Sequence, residues 1–253
     1  MLKSDPMTPS SPYDKEISPA PQSDWLDRPL LSAIKLDREK ALYGLFIALA
    51  VLSRLWDLGT RVMSHDETVH VQWSWYLFQG RGYAHTPLSH GPFLFHATAL
   101  NYYLFGDSDL AARLLPAVMG VILIALPYLL RRWLGRSGAL VTAFLLLISP
   151  SLLYYSRYIR HDIPIIVWTV IAVWAIFSYL RRPQVAHLSP SYPEPLKRET
   201  RYLLILAAAL SLMFATKEVA FIYIAILGLF LVILFFARLG APRRSSELPR
   251  GHH

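Results

Sequence analysis

Most of the carboxylates and cations that could do acid–base or phosphate chemistry fall in three short polar stretches of this chain. The first is Met63-Ser64-His65-Asp66-Glu67-Thr68-Val69-His70, an acidic pair flanked by imidazoles. The second is Tyr155-Ser156-Arg157-Tyr158-Ile159-Arg160-His161-Asp162, and the third is Thr216-Lys217-Glu218. Asp66 and Glu67 follow a long apolar run by a few residues, where an acidic pair is costly to hold unless it does chemistry or binds a cation. On a helix, His70 would share the face of Asp66 at spacing i, i+4. That pair is a candidate ligand set for a divalent cation, though no HExxH or three-ligand spacing accompanies it.

The elements that must position these residues are read from composition. Hydrophobic residues make up 54% of 253 positions and charged residues only 17%, more apolar than a soluble domain of ordinary usage. Apolar runs of roughly 18 to 20 residues recur, the length that crosses about 30 Å of hydrocarbon. The expected spans are Ala41 to Leu58, Leu110 to Leu130, Ser137 to Tyr154 and Ile163 to Leu180, followed by a long run from Tyr202 to Ala237. As one helix that run would measure roughly 54 Å, so it must break. The break belongs at Lys217-Glu218, giving Tyr202 to Thr216 and Val219 to Ala237. Pro92 to Phe105 is short for a span and reads as an interfacial helix, with proline in its first turn. A helix opened by Asp66 would place Val69, Trp73 and Leu77 on an apolar stripe suited to the same interface. The fold class is therefore all-α integral membrane, with about six spans and two interfacial helices in the first outer loop.

The net charge of +8 follows span ends rather than one basic face, which argues against nucleic acid as a partner. With six spans, one side receives Lys35, Arg38 and Lys40; Arg131, Arg132 and Arg136; Arg181, Arg182, Lys197, Arg198 and Arg201; and Arg238, Arg243 and Arg244. The positive-inside rule makes that side cytoplasmic and puts all three polar stretches outside. Residues 1–32, rich in Pro, Ser and Asp, read as a disordered cytoplasmic tail, 33–238 as the transmembrane module and 239–253 as a second short cytoplasmic tail. Cysteine is absent, so thiolate metal sites are excluded.

Several short motifs occur in a telling order. The acidic pair after the first span is followed by Gly91-Pro92-Phe93-Leu94, by Leu104-Phe105-Gly106, and by Ala111-Ala112-Arg113-Leu114-Leu115-Pro116. Ser149-Pro150, Arg157 with Arg160 and Asp162, and Ala215-Thr216-Lys217 come next. In this the chain, from about Ala41 to Ala237, resembles the N-terminal half of the GT-C membrane glycosyltransferases, the protein O-mannosyltransferases and the lipid A aminoarabinose transferase. It is more similar still to prokaryotic relatives described as flippase-activity-associated. The resemblance implies transfer of a sugar from a polyprenyl-phosphate donor to an acceptor on the outer face of the plasma membrane. It places Asp66 at the reaction centre with Glu67 beside it. An attacking hydroxyl needs a base or an orienting carboxylate, and the departing lipid phosphate needs cations, roles suited to Arg157, Arg160 and Lys217. Asp162 is expected to orient the acceptor, Arg160 or a bound cation, so the expected catalytic set is Asp66, Glu67 and Asp162.

Plainer readings stand beside these. Asp66 and Glu67 read equally as solvated loop carboxylates, Arg157, Arg160 and Asp162 as a loop ion-pair group, and Lys217-Glu218 as a hairpin turn. Arg54 and Asp57, three apart, are expected to form a structural pair. The Trp73, Trp75 and Tyr76 group reads as an interface belt, and Pro183 to Pro195 as a cytoplasmic linker. Members of the resembled group continue through further spans, so a truncated chain would serve as a non-catalytic subunit or scaffold of a membrane complex, with partner subunits. A lipid-linked sugar flippase accessory is a third reading, without visible inverted repeats.

Overall fold

The computed structural model of the chain describes residues 37–83, 90–181 and 194–240. The expected tail at 1–32, residues 241–253 of the expected tail at 239–253, and most of the expected linker lie outside those residues. Nine helices and no strand occur among the described residues: α1 (Arg38–Leu55), α2 (His65–Phe78), α3 (Phe93–Phe105), α4 (Asp109–Ala125), α5 (Pro127–Ile148), α6 (Pro150–Ser156), α7 (Asp162–Leu180), α8 (Glu194–Phe214) and α9 (Ala220–Gly240).

The apolar runs become helices that pack through small residues. Tyr43 and Ala50 of α1 meet Ile124 of α4 and Ala143 and Leu147 of α5. On another side of α4, Met119 and Leu123 pack on Ile163 and Val167 of α7, and Ala111 and Ala112 on Leu94 and Tyr102 of α3. Beyond α7, Ala172 meets Ala209 and Met213 of α8 and Ala220 of α9. Alanine at so many contacts lets backbones approach closely, the usual device where lipid offers no hydrophobic drive for helix pairing.

Glycine and proline set the breaks. Leu126 keeps helical angles (φ −59°, ψ −35°), so α4 runs directly into α5, and the chain turns back at Gly135, which has φ 73° and ψ 165°. A residue with a Cβ is strained there. This reversal separates the two expected spans Leu110 to Leu130 and Ser137 to Tyr154. Pro150 ends α5 by forcing Ser149 into an extended conformation, and the Ser149 hydroxyl then caps α6 by accepting from the Leu152 N–H at 3.4 Å. Proline has no N–H for the carbonyl of Leu146, one turn back. Arg54 Nη2 donates to that carbonyl at 3.3 Å and to Leu147 O at 3.5 Å. The expected Arg54–Asp57 pair therefore does not form. A buried guanidinium gains more from two carbonyls freed by a helix break than from a carboxylate in an exposed turn.

Helix α1 stops at Leu55, three residues short of the expected span end, and Asp57 takes a left-handed φ of 53°. Breaking the long C-terminal run around Lys217-Glu218 agrees with the expectation, although α8 begins at Glu194 instead of Tyr202. Among the described residues, three segments are long and apolar enough to cross a membrane: Asp109–Ile148, Asp162–Leu180 and Ala220–Gly240. Charges at Arg38, Glu39, Lys40 and Arg54 keep α1 from that group, and the apolar part of α8 is the shorter Thr200–Phe214.

The segment between α1 and α4 is pinned by one buried ion pair. Ser64 and Glu67 form a capping box that starts α2. Glu67 is 0% exposed and accepts from Arg113 Nε (2.9 Å) and Nη2 (3.0 Å), Arg61 Nη2 (2.9 Å), Ser64 N–H (3.1 Å) and Ile159 N–H (3.3 Å). Arg113, itself 0% exposed, also donates to Leu58 O and Arg61 O at 3.1 and 2.8 Å. Burial alone would raise the Glu67 pKa, but bonds from Arg113 and Ser64 and the nearby guanidiniums hold it below the usual carboxylate range. One further joint is built on Gly91: its N–H donates to Thr216 O at 3.1 Å and the Phe93 N–H to Ala215 O at 2.8 Å. A Cβ on Gly91 would lie 2.1 Å from Ala215 O.

Two stability effects follow. Glu67→Gln leaves Arg113 without its buried anion and is expected to cost about 3–5 kcal/mol, read as a lowered melting point in detergent. Gly91→Ala is expected to cost about 1–3 kcal/mol through the clash with Ala215 O, whereas Gly228→Ala in α9, where a Cβ meets nothing within 4 Å, leaves the melting point unchanged or slightly raised.

Candidate active site

Adjacent residues on a helix point about 100° apart, and the first turn of α2 divides the acidic pair accordingly. While Glu67 turns inward to Arg113, the Asp66 side chain stays 56% exposed. Arg160 Nη1 donates to Asp66 Oδ2 at 3.3 Å, Arg160 Nε pairs with Asp162 Oδ2 at 3.4 Å, and Lys217 Nζ donates to Asp162 Oδ1 at 2.6 Å. Carboxylates and cations thus alternate across three segments remote in sequence: the start of α2, the α6–α7 connection and the α8–α9 turn. Arg160, Asp162 and Lys217 are half-buried, which screens them less than surface pairs and holds them ready for a charged ligand.

Two expected members of the site sit elsewhere. Glu67 is a buried structural carboxylate for the reason given above. Arg157 spends its guanidinium on the carbonyls of Ser53 (2.9 Å), Trp56 (2.7 Å) and Asp57 (3.1 Å). It closes the C-terminal end of α1, where unsatisfied carbonyls and the negative end of the helix dipole attract a cation. Asp66, Arg160, Asp162 and Lys217 are the expected residues brought together.

A cluster of imidazoles lies against this charged row. His161, between Arg160 and Asp162, is 1% exposed and donates from Nε2 to Gly91 O at 3.3 Å. Its ring centroid lies 5.1 Å from those of both His70 and His90. Burial pushes the His161 pKa down to about 2, and the neighbouring imidazoles add to the shift; burial likewise takes His70 to about 4. Both rings are therefore neutral near pH 7, and the Nδ1 atoms of both are buried with no partner among the described residues. His90 Nδ1 lies 2.6 Å from Glu218 Oε2, joining the Gly91 joint to the α8–α9 turn. Of the nearby histidines, His65 is exposed beside Asp66, and His96 Nδ1 meets Pro92 O at 2.8 Å.

His70 was expected to share the face of Asp66 as a metal ligand. It is turned inward instead, against Phe95 and His161, while Asp66 faces Arg160. No group of three or more His, Asp or Glu able to hold a metal ion occurs among the described residues. The roles of His161 and Arg113 escaped sequence reasoning. Arg113, a charge inside an apolar run, carried a readable signal, because such a residue needs a buried partner. His161 carried none, since its burial depends on Gly91 and Phe95 from another segment.

The sequence profile described as dolichyl-phosphate-mannose-protein mannosyltransferase matches residues 89–241. No curated protein sequence matches the chain significantly. The fold is similar to that of ArnT from Cupriavidus metallidurans, at 22% identity and TM-score 0.62 over 79% of this chain and 37% of that one; ArnT is also known bound to undecaprenyl phosphate. It is similar to the S. cerevisiae protein O-mannosyltransferase Pmt1-Pmt2 complex bound to the sugar donor (20%, TM-score 0.62, covering 84% of this chain and 30% of that one). The Archaeoglobus fulgidus oligosaccharyltransferase is a third such structure (21%, TM-score 0.64, covering 80% and 26%). The chain thus spans between 26% and 37% of the lengths of these three. With the family profile matched over more than half of its residues, the chain belongs to the dolichyl-phosphate-mannose-protein mannosyltransferase family.

Proposed function

We propose that the chain is an integral membrane glycosyltransferase module that moves a sugar from a polyprenyl-phosphate donor to an acceptor hydroxyl on the outer face of the plasma membrane. The observation that carries the reading is the alternating row Asp66, Arg160, Asp162 and Lys217, assembled from three segments at one end of the helices. The ligands named for the relatives, undecaprenyl phosphate and a sugar donor, have the chemistry such a row would meet. In the proposed topology the chain crosses six times, α2 and α3 lie in the interface, and both ends of the module are cytoplasmic. Arg54 is compatible with a span because its charge is spent on carbonyls inside the bundle.

Asp66, exposed and held by Arg160, accepts or orients the proton of the attacking hydroxyl as its oxygen bonds to the anomeric carbon. The bond from that carbon to the phosphate oxygen breaks, and the negative charge of the leaving lipid phosphate is met by Arg160 and Lys217. Asp162 holds both cations in place beforehand, so little reorganisation accompanies charge development. His161 and His70, kept neutral, add no competing positive charge. A second reading, a non-catalytic subunit of a membrane complex, draws on α9, whose Phe221, Ile222, Ile226, Leu229 and Phe236 are exposed along one apolar helix.

Proteoliposomes supplied with a labelled polyprenyl-phosphate sugar test the first reading. Asp66→Asn is expected to reduce transfer about 10²- to 10⁴-fold while changing stability by no more than ~0.5 kcal/mol. Lys217→Gln is expected to raise the KM for donor. Undiminished turnover in Asp66→Asn overturns the role of Asp66. Transfer that appears only when a copurifying membrane protein is restored, and that tolerates Asp66→Asn, supports the subunit reading.

A further inference from the structure

A second polar pocket lies at the opposite end of the helices. From Asp109, beside the buried Glu67–Arg113 pair, α4 continues without a break into α5, so Arg131 stands roughly 33 Å away at about 1.5 Å per residue. There Arg131, Arg132, Trp133, Trp174, Ser178 and Tyr202 line a cavity of about 190 Å³ between the start of α5, the end of α7 and α8. Among the described residues its lining contains two guanidiniums and no carboxylate. The Arg131 guanidinium stacks 3.9 Å from the Tyr128 ring centroid, which holds it at the cavity wall without neutralising it. Glu39, whose field reaches Arg131, is already paired with Arg136 at 3.4 Å. The rim is aromatic: Trp174 meets Tyr202 edge-on at 5.6 Å, and Trp133 packs on Phe177 at 5.7 Å.

We infer that this cavity binds the phosphate headgroup of an acidic phospholipid. Three features converge on that ligand. A concave site with surplus positive charge selects an anion, and arginine's planar fork suits phosphate oxygens. Tryptophan and tyrosine rings around it belong at headgroup depth, where their apolar faces meet acyl chains and their polar edges meet water. Basic pockets between membrane helices hold acidic lipid headgroups for the same reasons. Free phosphate satisfies the guanidiniums but leaves the aromatic rim without an apolar partner, so the lipid is the ligand of choice. The site is separate from the proposed reaction centre, and its bound lipid would brace α5 against α7 and α8.

Native mass spectrometry of the full chain, released from micelles doped with phosphatidylglycerol or phosphatidylcholine, tests the inference. One phosphatidylglycerol is expected to be retained in preference to phosphatidylcholine. Arg132→Gln, which keeps the Arg131–Tyr128 stack, is expected to weaken retention about fivefold, and Arg131→Gln with Arg132→Gln about thirtyfold. Melting curves in phosphatidylcholine micelles identify variants that fold as the parent does, and Arg132→Gln alone remains decisive if the double variant does not. Equal retention of the two lipids, or phosphatidylglycerol retention unchanged in Arg132→Gln, overturns the proposal. Displacement of the lipid by inorganic phosphate at equal concentration would make this a free-anion site and overturns it too.

Discussion

Everything at the Asp66 end of this protein depends on the carboxylate of Glu67 lying against the guanidinium of Arg113. Both are fully buried, and neither is tolerable there without the other. Through them the start of α2, the loop at Leu58 and Arg61, the first turn of α4 and the backbone at Ile159 are tied to one point. With Glu67 facing inward, Asp66 must face outward, and because Ile159 is held by Glu67, Arg160 beside it is delivered to Asp66. The exposed carboxylate is placed by its buried neighbour.

Other arginines show the same economy with different partners. Arg54 answers the carbonyl that Pro150 leaves without a donor, and Arg157 answers the carbonyls at the end of α1. Each break in a helix exposes acceptors that must be satisfied in a region poor in water. A long, permanently charged side chain with several donors does this from a neighbouring segment. Arginines within a few residues of one another in sequence therefore have unrelated tasks: Arg157 closes a helix, whereas Arg160 joins two carboxylates.

The charged row and the imidazole cluster beside it form a graded environment. Asp66 is open to solvent, Arg160, Asp162 and Lys217 are half-buried, and His161 and His70 are buried and neutral. Ionised groups occupy the part water can still reach, and groups able to shed their charge occupy the part it cannot. The Gly91 joint, where the α3 start bonds directly to Ala215 and Thr216, closes the floor under His161 and brings the α8–α9 turn up to the row.

What the amino-acid sequence by itself determined is the set of elements and their breaks. Apolar runs of membrane length, and Lys217-Glu218 in an otherwise uncharged stretch, specify helices and where they stop, because these are local effects of backbone chemistry and hydrophobicity; the break before Pro150 falls inside the expected span Ser137 to Tyr154, whose helix ends instead at Ile148. The same is true of which polar stretches share one end, since charge clusters alternate with the runs. The tertiary structure alone decided which member of each motif does which task. Asp66 and Glu67 are indistinguishable by type and spacing, as are Arg157 and Arg160; only a partner far along the chain, Arg113 for one pair and the α1 carbonyls for the other, separates a structural group from an available one. Desolvation acts the same way on His161: nothing near it in the chain marks it as buried, and its neutrality arises from burial, against Phe95 among others, and from two other imidazoles brought to it by packing.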